Sequence, residues 1–249
     1  MSSALTVMER DFRIFFADRY MLAIMFVNFA IDLGVSGLSL SRMIGSSSLF
    51  PNALSYFLYI APGANLITGT VAAFQSGRDI WRERIIQDTH TYLLTVPVRR
   101  NVFGVSRLFS GMLRTTLTTL PGTIVIAFLY QLTVPLFFVG VAIMMVFSGA
   151  VIGLSVTAAA LSNSLELFTT VRSTVQVYIS FFSTQFYPAN ILPPIVATLA
   201  NFNPMTWAVQ SFRALQQGTV DWGLFVPLAG LSAGLLFVGF LFYRRTMEF

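Results

Sequence analysis

The chain has 249 residues, of which 55% are hydrophobic and only 10% are charged, and its formal net charge is +5. Soluble domains carry about 25% charged residues, so the composition excludes an ordinary globular domain. All fifteen basic residues are arginine, there is no cysteine, and His90 is the single histidine. The sequence therefore excludes a P-loop lysine, cysteine-based zinc or disulfide chemistry, and a multi-histidine metal site. We expect no cofactor in this chain and no enzymatic activity of its own.

The N-terminal segment, residues 1–19, is amphipathic. Leu5, Met8 and Phe12 recur at helical spacing among charged residues such as Glu9. This periodicity predicts a helix that lies along the membrane interface rather than across the bilayer.

Six apolar runs of membrane-spanning length follow this segment. A hydrocarbon core about 30 Å thick is crossed by about 20 residues of helix. The runs cover residues 20–40, 54–74, 109–130, 136–161, 167–187 and 222–243. In the fourth run, Gly149 and Gly153 have the spacing of small residues that allow close helix contact. The sequence thus predicts an all-α integral membrane protein, a single domain over residues 1–249 with six transmembrane helices.

The segment between the last two spans, residues 188–221, is too polar and too rich in proline to cross a bilayer. Pro193-Pro194 and Asn203-Pro204 divide it, which predicts two short re-entrant helices that form an extracellular cap. We expect Asn203 to cap the second helix and Pro204 to occupy its first turn, where the missing N–H is not needed.

The distribution of arginine orients the predicted spans. Thirteen of the fifteen arginines fall on one side of the predicted membrane, and only Arg42 and Arg213 fall on the other. Cationic loops stay in the cytoplasm, so both termini are expected there, in a multi-pass protein of the cytoplasmic (plasma) membrane. Because the arginines lie at membrane edges rather than in one patch, we do not expect a nucleic acid partner.

The longest polar interruption, residues 77–101, is rich in arginine. Its first part, residues 81–90, predicts a short amphipathic cytoplasmic helix between spans two and three, which Pro97 would end. One interpretation is a solvated loop that only sets topology. The other is a coupling helix that lies in the cleft of a soluble motor protein. Under the second interpretation, the candidate contact residues are Trp81, Arg82, Glu83, Arg84, Asp88 and Pro97.

The C-terminal half contains a series of short motifs in a fixed order. They are Tyr187-Pro188, Leu192-Pro193, Asn203-Pro204-Met205-Thr206 and Phe212-Arg213-Ala214-Leu215. In order and spacing, the series resembles the membrane subunits of ABC-2 type (type V) exporters. Residues 82–84 and 93–98 are likewise similar to the charged coupling segment of that family, although Ile85-Ile86-Gln87-Asp88 departs from the Gly-Thr that members often have there.

The resemblance implies a permease subunit that works with other chains. Its partners would be a second permease subunit, identical or different, and separately encoded P-loop ATPase subunits that bind ATP and Mg. The mechanism it implies is alternating access, in which spans two and five of the paired subunits line the central path.

Polar and aromatic residues inside the predicted spans are candidates for the translocation path. Asp32 and Asn28 lie one helical turn apart in span one, and an intramembrane carboxylate is costly to keep. A structural pairing of Asp32 near the outer face is the alternative. Span five carries an aromatic stripe, for which packing or lipid contact is the alternative. The stripe candidates are Tyr178, Phe182 and Gln185, and the resemblance adds Tyr56 and Tyr59 of span two.

The expected cargo is an amphipathic molecule, drug-like or lipid-linked, because aromatic faces bind apolar groups without demanding a fixed geometry. A polysaccharide or glycolipid, whose sugar rings stack on aromatic faces, is the alternative cargo. An integral membrane enzyme is disfavoured by the scarcity of intramembrane acids and histidines. A channel or secondary carrier is disfavoured because neither polar rings nor inverted repeats are visible in the sequence.

Overall fold

The computed structural model describes residues 3–17, 19–37, 39, 52–87 and 100–246. Within these residues the chain is built from helices. They are α1 (Ser3–Ala17), α2 (Arg19–Ile31), a π-helical segment (Asp32–Gly37), α3 (Ala53–Ile85), α4 (Arg100–Tyr130), α5 (Val134–Leu161), α6 (Leu165–Phe181), a 3₁₀ turn (Ala189–Ile191), α7 (Pro194–Asn201), α8 (Pro204–Gln216) and α9 (Trp222–Arg245).

Four helices in the described part of the chain are long and apolar enough to cross a membrane. They contain the segments Leu54–Ile85, Arg100–Leu129, Val134–Leu161 and Trp222–Arg245. A helix satisfies all of its interior backbone hydrogen bonds within one segment, which a lipid environment requires. The prediction of an all-α membrane protein is therefore confirmed, with four candidate spans in the described residues.

The two helices on either side of the predicted coupling loop are longer than predicted. Helix α3 continues to Ile85, past the expected end at residue 74, and α4 already begins at Arg100 rather than at residue 109. The start of the predicted loop therefore belongs to the helix of span two, and the prediction of a separate helix beginning at residue 81 is wrong. The polar residues of these turns remain helical because their side chains pair with other helices, as Asp79 does with Arg114. Residues 88–99 lie outside the described residues.

The fifth apolar run forms a shorter helix than predicted. Helix α6 ends at Phe181, and the chain then bends through residues 182–188 instead of continuing to residue 187 as a helix. Asn203 explains this end, because its side-chain amide donates to the carbonyl oxygens of Tyr178, Ile179 and Phe182. Asn203 also caps α8, as the Asn-Pro pair predicts, by accepting from the Met205 N–H at 2.9 Å.

Helix α5 is at the centre of the bundle and packs against α3, α4 and α9. Its contact with α9 is made by small residues, since Gly149 lies against Ser232, and Gly153 lies against Gly239 and the backbone at Leu235. Small residues let two helix backbones approach closely. The spacing of Gly149 and Gly153 therefore marks a helix–helix contact, as predicted.

Candidate functional site

Four charged side chains meet where α1, α3 and α4 converge, and we call them the Arg107 cluster (Arg10, Asp11, Glu83 and Arg107). The Arg107 guanidinium of α4 donates to Asp11 of α1 and to Glu83 of α3, each at 2.5 Å. Arg10 adds contacts of 3.1 Å to Asp11 and 3.5 Å to Glu83. Two guanidinium groups and two carboxylates balance each other, so the cluster carries no net charge.

The centre of the Arg107 cluster is removed from solvent. The side chains of Arg107 and Asp11 are only 5% and 3% exposed. A planar guanidinium can bind two partners at once in a fixed geometry, which an ammonium group cannot do. Arg107 therefore joins the N-terminal helix to α3 and α4 as one structural unit.

A second contact joins the last turns of α3 to the C-terminal end of α5. The Trp81 indole N–H donates to the carbonyl oxygen of Ser162 at 3.1 Å. Arg84 donates to the carbonyl oxygens of Ala160 and Ser162, at 2.6 Å each. Carbonyls at a helix C-terminus have no partner within the helix and carry partial negative charge, so a guanidinium is well placed there.

The predicted coupling residues divide into inward-facing and outward-facing groups. Trp81 is buried, and Glu83 and Arg84 bind other helices of the same chain. Arg82 is exposed. Asp88 and Pro97 lie outside the described residues. In this structure Trp81, Glu83 and Arg84 therefore position the end of α3, and Arg82 is the predicted coupling residue that faces outward among those that the structure describes.

Sequence reasoning missed the partners of these residues. Asp11 and Arg107 are 96 positions apart in the chain, and Trp81 is 81 positions from its acceptor Ser162. Asp11 lies in an amphipathic helix, where a carboxylate is usually solvated, so its burial leaves no trace in the local pattern. Arg107 carries a signal that could have been used, because it is a charged residue beside the apolar residues Leu108 and Phe109.

A further ion pair extends the link between α3 and α4. Arg114 of α4 lies 3.3 Å from Asp79 of α3. The Arg114 Cζ atom also lies 5.1 Å from the centre of the Phe15 ring in α1, a cation–π distance. The same three helices are therefore joined at a second level.

Another group, which we call the Arg213 cluster (Tyr59, Thr184, Gln185 and Arg213), joins α8 to α3 and to the bend after α6. Arg213 donates to the carbonyl oxygens of Tyr59 and Thr184 at 3.0 Å and of Gln185 at 3.1 Å. Its Cζ atom lies 3.3 Å from the centre of the Tyr59 ring. Burial lowers the pKa of the Arg213 guanidinium to about 10, so this side chain remains charged at neutral pH.

Three of the predicted path residues lie in or beside the Arg213 cluster. The Tyr59 hydroxyl donates to the Thr184 carbonyl at 3.1 Å, and the Tyr56 hydroxyl donates to the Phe186 carbonyl at 3.3 Å. Gln185 is buried and lies directly against Gly63 of α3. Tyr56, Tyr59 and Gln185 therefore form internal contacts in this structure. Gln185 does not extend the α6 stripe as a helical position either, because α6 ends at Phe181.

Tyr178 and Phe182, like Tyr59, remain partly exposed. Their rings stack with centres 6.1 Å apart at the end of α6. Asn28 lies in α2 and Asp32 begins the π-helical segment, but their side chains are outside the described part of the chain. Among the described residues, no group of three His, Cys, Asp or Glu side chains could hold a metal ion.

The sequence matches the family of ABC-2 type transporters over residues 3–216. The chain belongs to the ABC-2 type transporter family. This ABC-2 protein is therefore a multi-pass transport permease, and the resemblance drawn from its motifs is confirmed. The matched region contains both the Arg107 cluster and the Arg213 cluster and ends at the last residue of α8. No curated relative matches the sequence.

Proposed function

We propose that this chain is the membrane subunit of an ATP-driven ABC exporter that works by alternating access. The observation that best supports this proposal is the set of contacts made by the last turns of α3. These turns lie next to residues 88–99 and bind α1, α4 and α5 through Glu83, Trp81 and Arg84. A motor protein that moves the 88–99 segment would therefore move four helices together.

The proposed topology has six spans and two cytoplasmic termini. The four long apolar helices are joined by α6, whose 17 residues are about 26 Å long, and by the unbroken run of α2 and the π-helical segment. The end of the bundle that holds Arg84 and Arg107 also holds Arg245, while Arg213 binds Tyr59 near the start of α3, at the other end of that helix. The positive-inside rule supports a cytoplasmic location for the arginine-rich end.

The partners of the proposed exporter are a second permease subunit and two P-loop ATPase subunits, which bind ATP and Mg. Because the Arg213 cluster holds α3 and α8 together, it would keep the extracellular side closed in this conformation. A second conformation becomes populated only if ATP binds more tightly to the state in which the motor subunits are closed. In that step Tyr56, Tyr59 and Gln185 would exchange internal contacts for contacts with the substrate.

The proposed substrate is amphipathic, drug-like or lipid-linked. The partly exposed stack of Tyr178 and Phe182 supports this class, because aromatic faces contribute contact area without fixed hydrogen bonds. The same stack supports a polysaccharide or glycolipid as the second candidate, since sugar rings also pack on aromatic faces.

Transport into inside-out vesicles that contain this chain and its ATPase tests the proposal. We expect ATP-dependent accumulation of an amphipathic dye, reduced severalfold by Tyr178→Ala with Phe182→Ala. Phe128→Ala is the matched control, because that ring is 79% exposed on α4, away from the stack. Accumulation of a lipid-linked oligosaccharide instead of the dye would favour the second candidate. Accumulation of neither substrate, with an active ATPase present, would contradict the proposal.

A further inference from the structure

A cavity of about 420 Å³ opens where α3, α5 and α9 end side by side. Each of these helices is long and apolar enough to cross a membrane, so the cavity lies at the level where hydrocarbon gives way to headgroups. The residues that matter for the argument are Arg84, Ile85, Leu161, Asn163, Phe242 and Arg245.

The polar side of the cavity is cationic. Arg84 and Arg245 both line it, Asn163 and Thr246 add neutral polar groups, and no carboxylate lines it in the part of the chain that the structure describes. This differs from the Arg107 cluster, where each guanidinium faces a carboxylate. The cavity is therefore complementary to an anion.

The apolar side of the cavity continues onto the outer surface of the bundle. Ile85 is 45% exposed and Leu161 is 57% exposed, and Phe242 lies beside them. An occupant with a charged head and an apolar tail would place its tail along these side chains. Few soluble anions have that character, and membrane phospholipids do.

The two arginines have different roles in this geometry. Arg84 is fixed by its bonds of 2.6 Å to the carbonyls of Ala160 and Ser162, so it contributes positive potential from a constant position. Arg245 is exposed, and its Cζ atom lies 5.9 Å from the centre of the Phe242 ring. Arg245 can therefore turn its donors toward a bound phosphate.

We propose that this cavity binds the headgroup of an anionic phospholipid. Arg245 donates to the phosphate, Arg84 supplies the electrostatic potential, and the acyl chains lie along Ile85 and Leu161. Basic pockets between the ends of transmembrane helices are suited to anionic headgroups, and charge-assisted bonds to phosphate are among the stronger hydrogen bonds in proteins. The proposal requires only that α3, α5 and α9 cross the membrane, and it is independent of the transported substrate.

Native mass spectrometry of the purified chain tests the proposal, because it counts the lipids retained. We expect one phosphatidylglycerol to be retained in preference to phosphatidylcholine, with affinity reduced about tenfold in Arg245→Ala. Arg244→Ala is the matched control, because it removes the same charge from the neighbouring residue, which does not line the cavity. Leu161→Asp, at an exposed wall position, should weaken binding as much by repelling the phosphate.

Three results would overturn the proposal. An equal loss in Arg244→Ala would mean that phosphatidylglycerol responds only to the overall positive charge of the C-terminus. Equal retention of phosphatidylcholine would mean that the cavity selects only for the acyl chains of a lipid. Full displacement of the lipid by millimolar inorganic phosphate would identify a phosphate site that does not recognise the lipid.

Discussion

Buried polar side chains that each connect several helices carry much of the structure's specificity. Arg107 joins α1, α3 and α4, Asn203 joins α6 to α8, and Arg213 joins α8 to α3. In each case one side chain binds polar groups that have few other hydrogen-bonding partners inside a helical bundle. Removing such a residue leaves buried polar groups unpaired, which costs more than the lost hydrogen bond alone.

Arg107 should be essential for the stability of the bundle. Arg107→Met keeps the apolar stem but leaves Asp11 and Glu83 without their main cation, and an uncompensated buried charge costs about 3–5 kcal/mol. We expect a large fall in the midpoint of thermal unfolding in detergent, measured by circular dichroism. Arg13→Ala is the control, because Arg13 is 80% exposed in its pair with Glu9 and should contribute less than about 0.5 kcal/mol. Equal midpoints for the two variants would show that the cluster is not a structural link.

Asn203 should be needed as a donor as well as a helix cap. Asp caps a helix N-terminus about as well as Asn does, but it cannot donate to the carbonyls of Tyr178, Ile179 and Phe182. Asn203→Asp should therefore destabilise the chain by about 1–3 kcal/mol or more, at least as much as Asn203→Ala. Thermal unfolding measures the difference, with exposed Asn201→Ala as the neutral control. A stable Asn203→Asp variant would mean that only the cap matters.

At the scale of single helices, the sequence predicts best the elements whose ends are marked by local chemistry. Helix α5 is found within two residues of its predicted limits, because its apolar run begins beside Pro135 and ends before Ser162-Asn163-Ser164. Hydropathy fails for the end of α3, because polar residues such as Gln75, Asp79 and Glu83 look like a loop. They remain helical because they face other helices. Hydropathy averaged along the chain cannot detect such contacts.

The crossing of α5 and α9 should depend on the lack of a side chain at Gly153. A Cβ atom there would press on the Leu235 carbonyl and lie 2.7 Å from the backbone nitrogen of Leu236, so the helices must separate. We expect Gly153→Ala to destabilise the chain by about 1–3 kcal/mol. Gly234→Ala on α9 meets no atom within 4 Å and should be neutral or stabilising through helix propensity. If thermal unfolding gives the reverse order, the close contact is not a determinant of packing.

Substitutions in the last turn of α3 should distinguish residues that contact the ATPase from residues that stabilise the fold. Arg82 is exposed, so Arg82→Glu should weaken association with the ATPase by roughly 2–5-fold and leave the unfolding midpoint unchanged. Glu83→Arg should instead lower the midpoint, because it places a third guanidinium beside Arg107 and Arg10. Titration with the ATPase and thermal unfolding give the two readouts. An Arg82→Glu variant with unchanged association would show that this turn does not contact the motor.

For the whole molecule, composition and charge predict the class of the protein, and its motifs predict the family. The positions of the candidate site residues could not be predicted in the same way. The stripe of span five points to Gln185 and the family resemblance points to Tyr56 and Tyr59, yet all three make internal contacts around Arg213. The hydroxyls of Tyr56 and Tyr59 bind carbonyls that are 130 and 125 positions away in the chain. Contacts over such separations depend on the tertiary fold, and no periodicity along one helix encodes them.

The central claim is that this permease is driven by a separate ATPase subunit, and ATP hydrolysis in proteoliposomes tests it most directly. The chain alone, its cognate ABC ATPase alone and the two together would be compared with and without an amphipathic substrate. We predict no hydrolysis above background for the chain alone, since it has no lysine for a P-loop, and a stable pair whose hydrolysis rises with substrate. Robust hydrolysis by the chain alone, or an ATPase that neither binds the chain nor responds to it, would contradict the account.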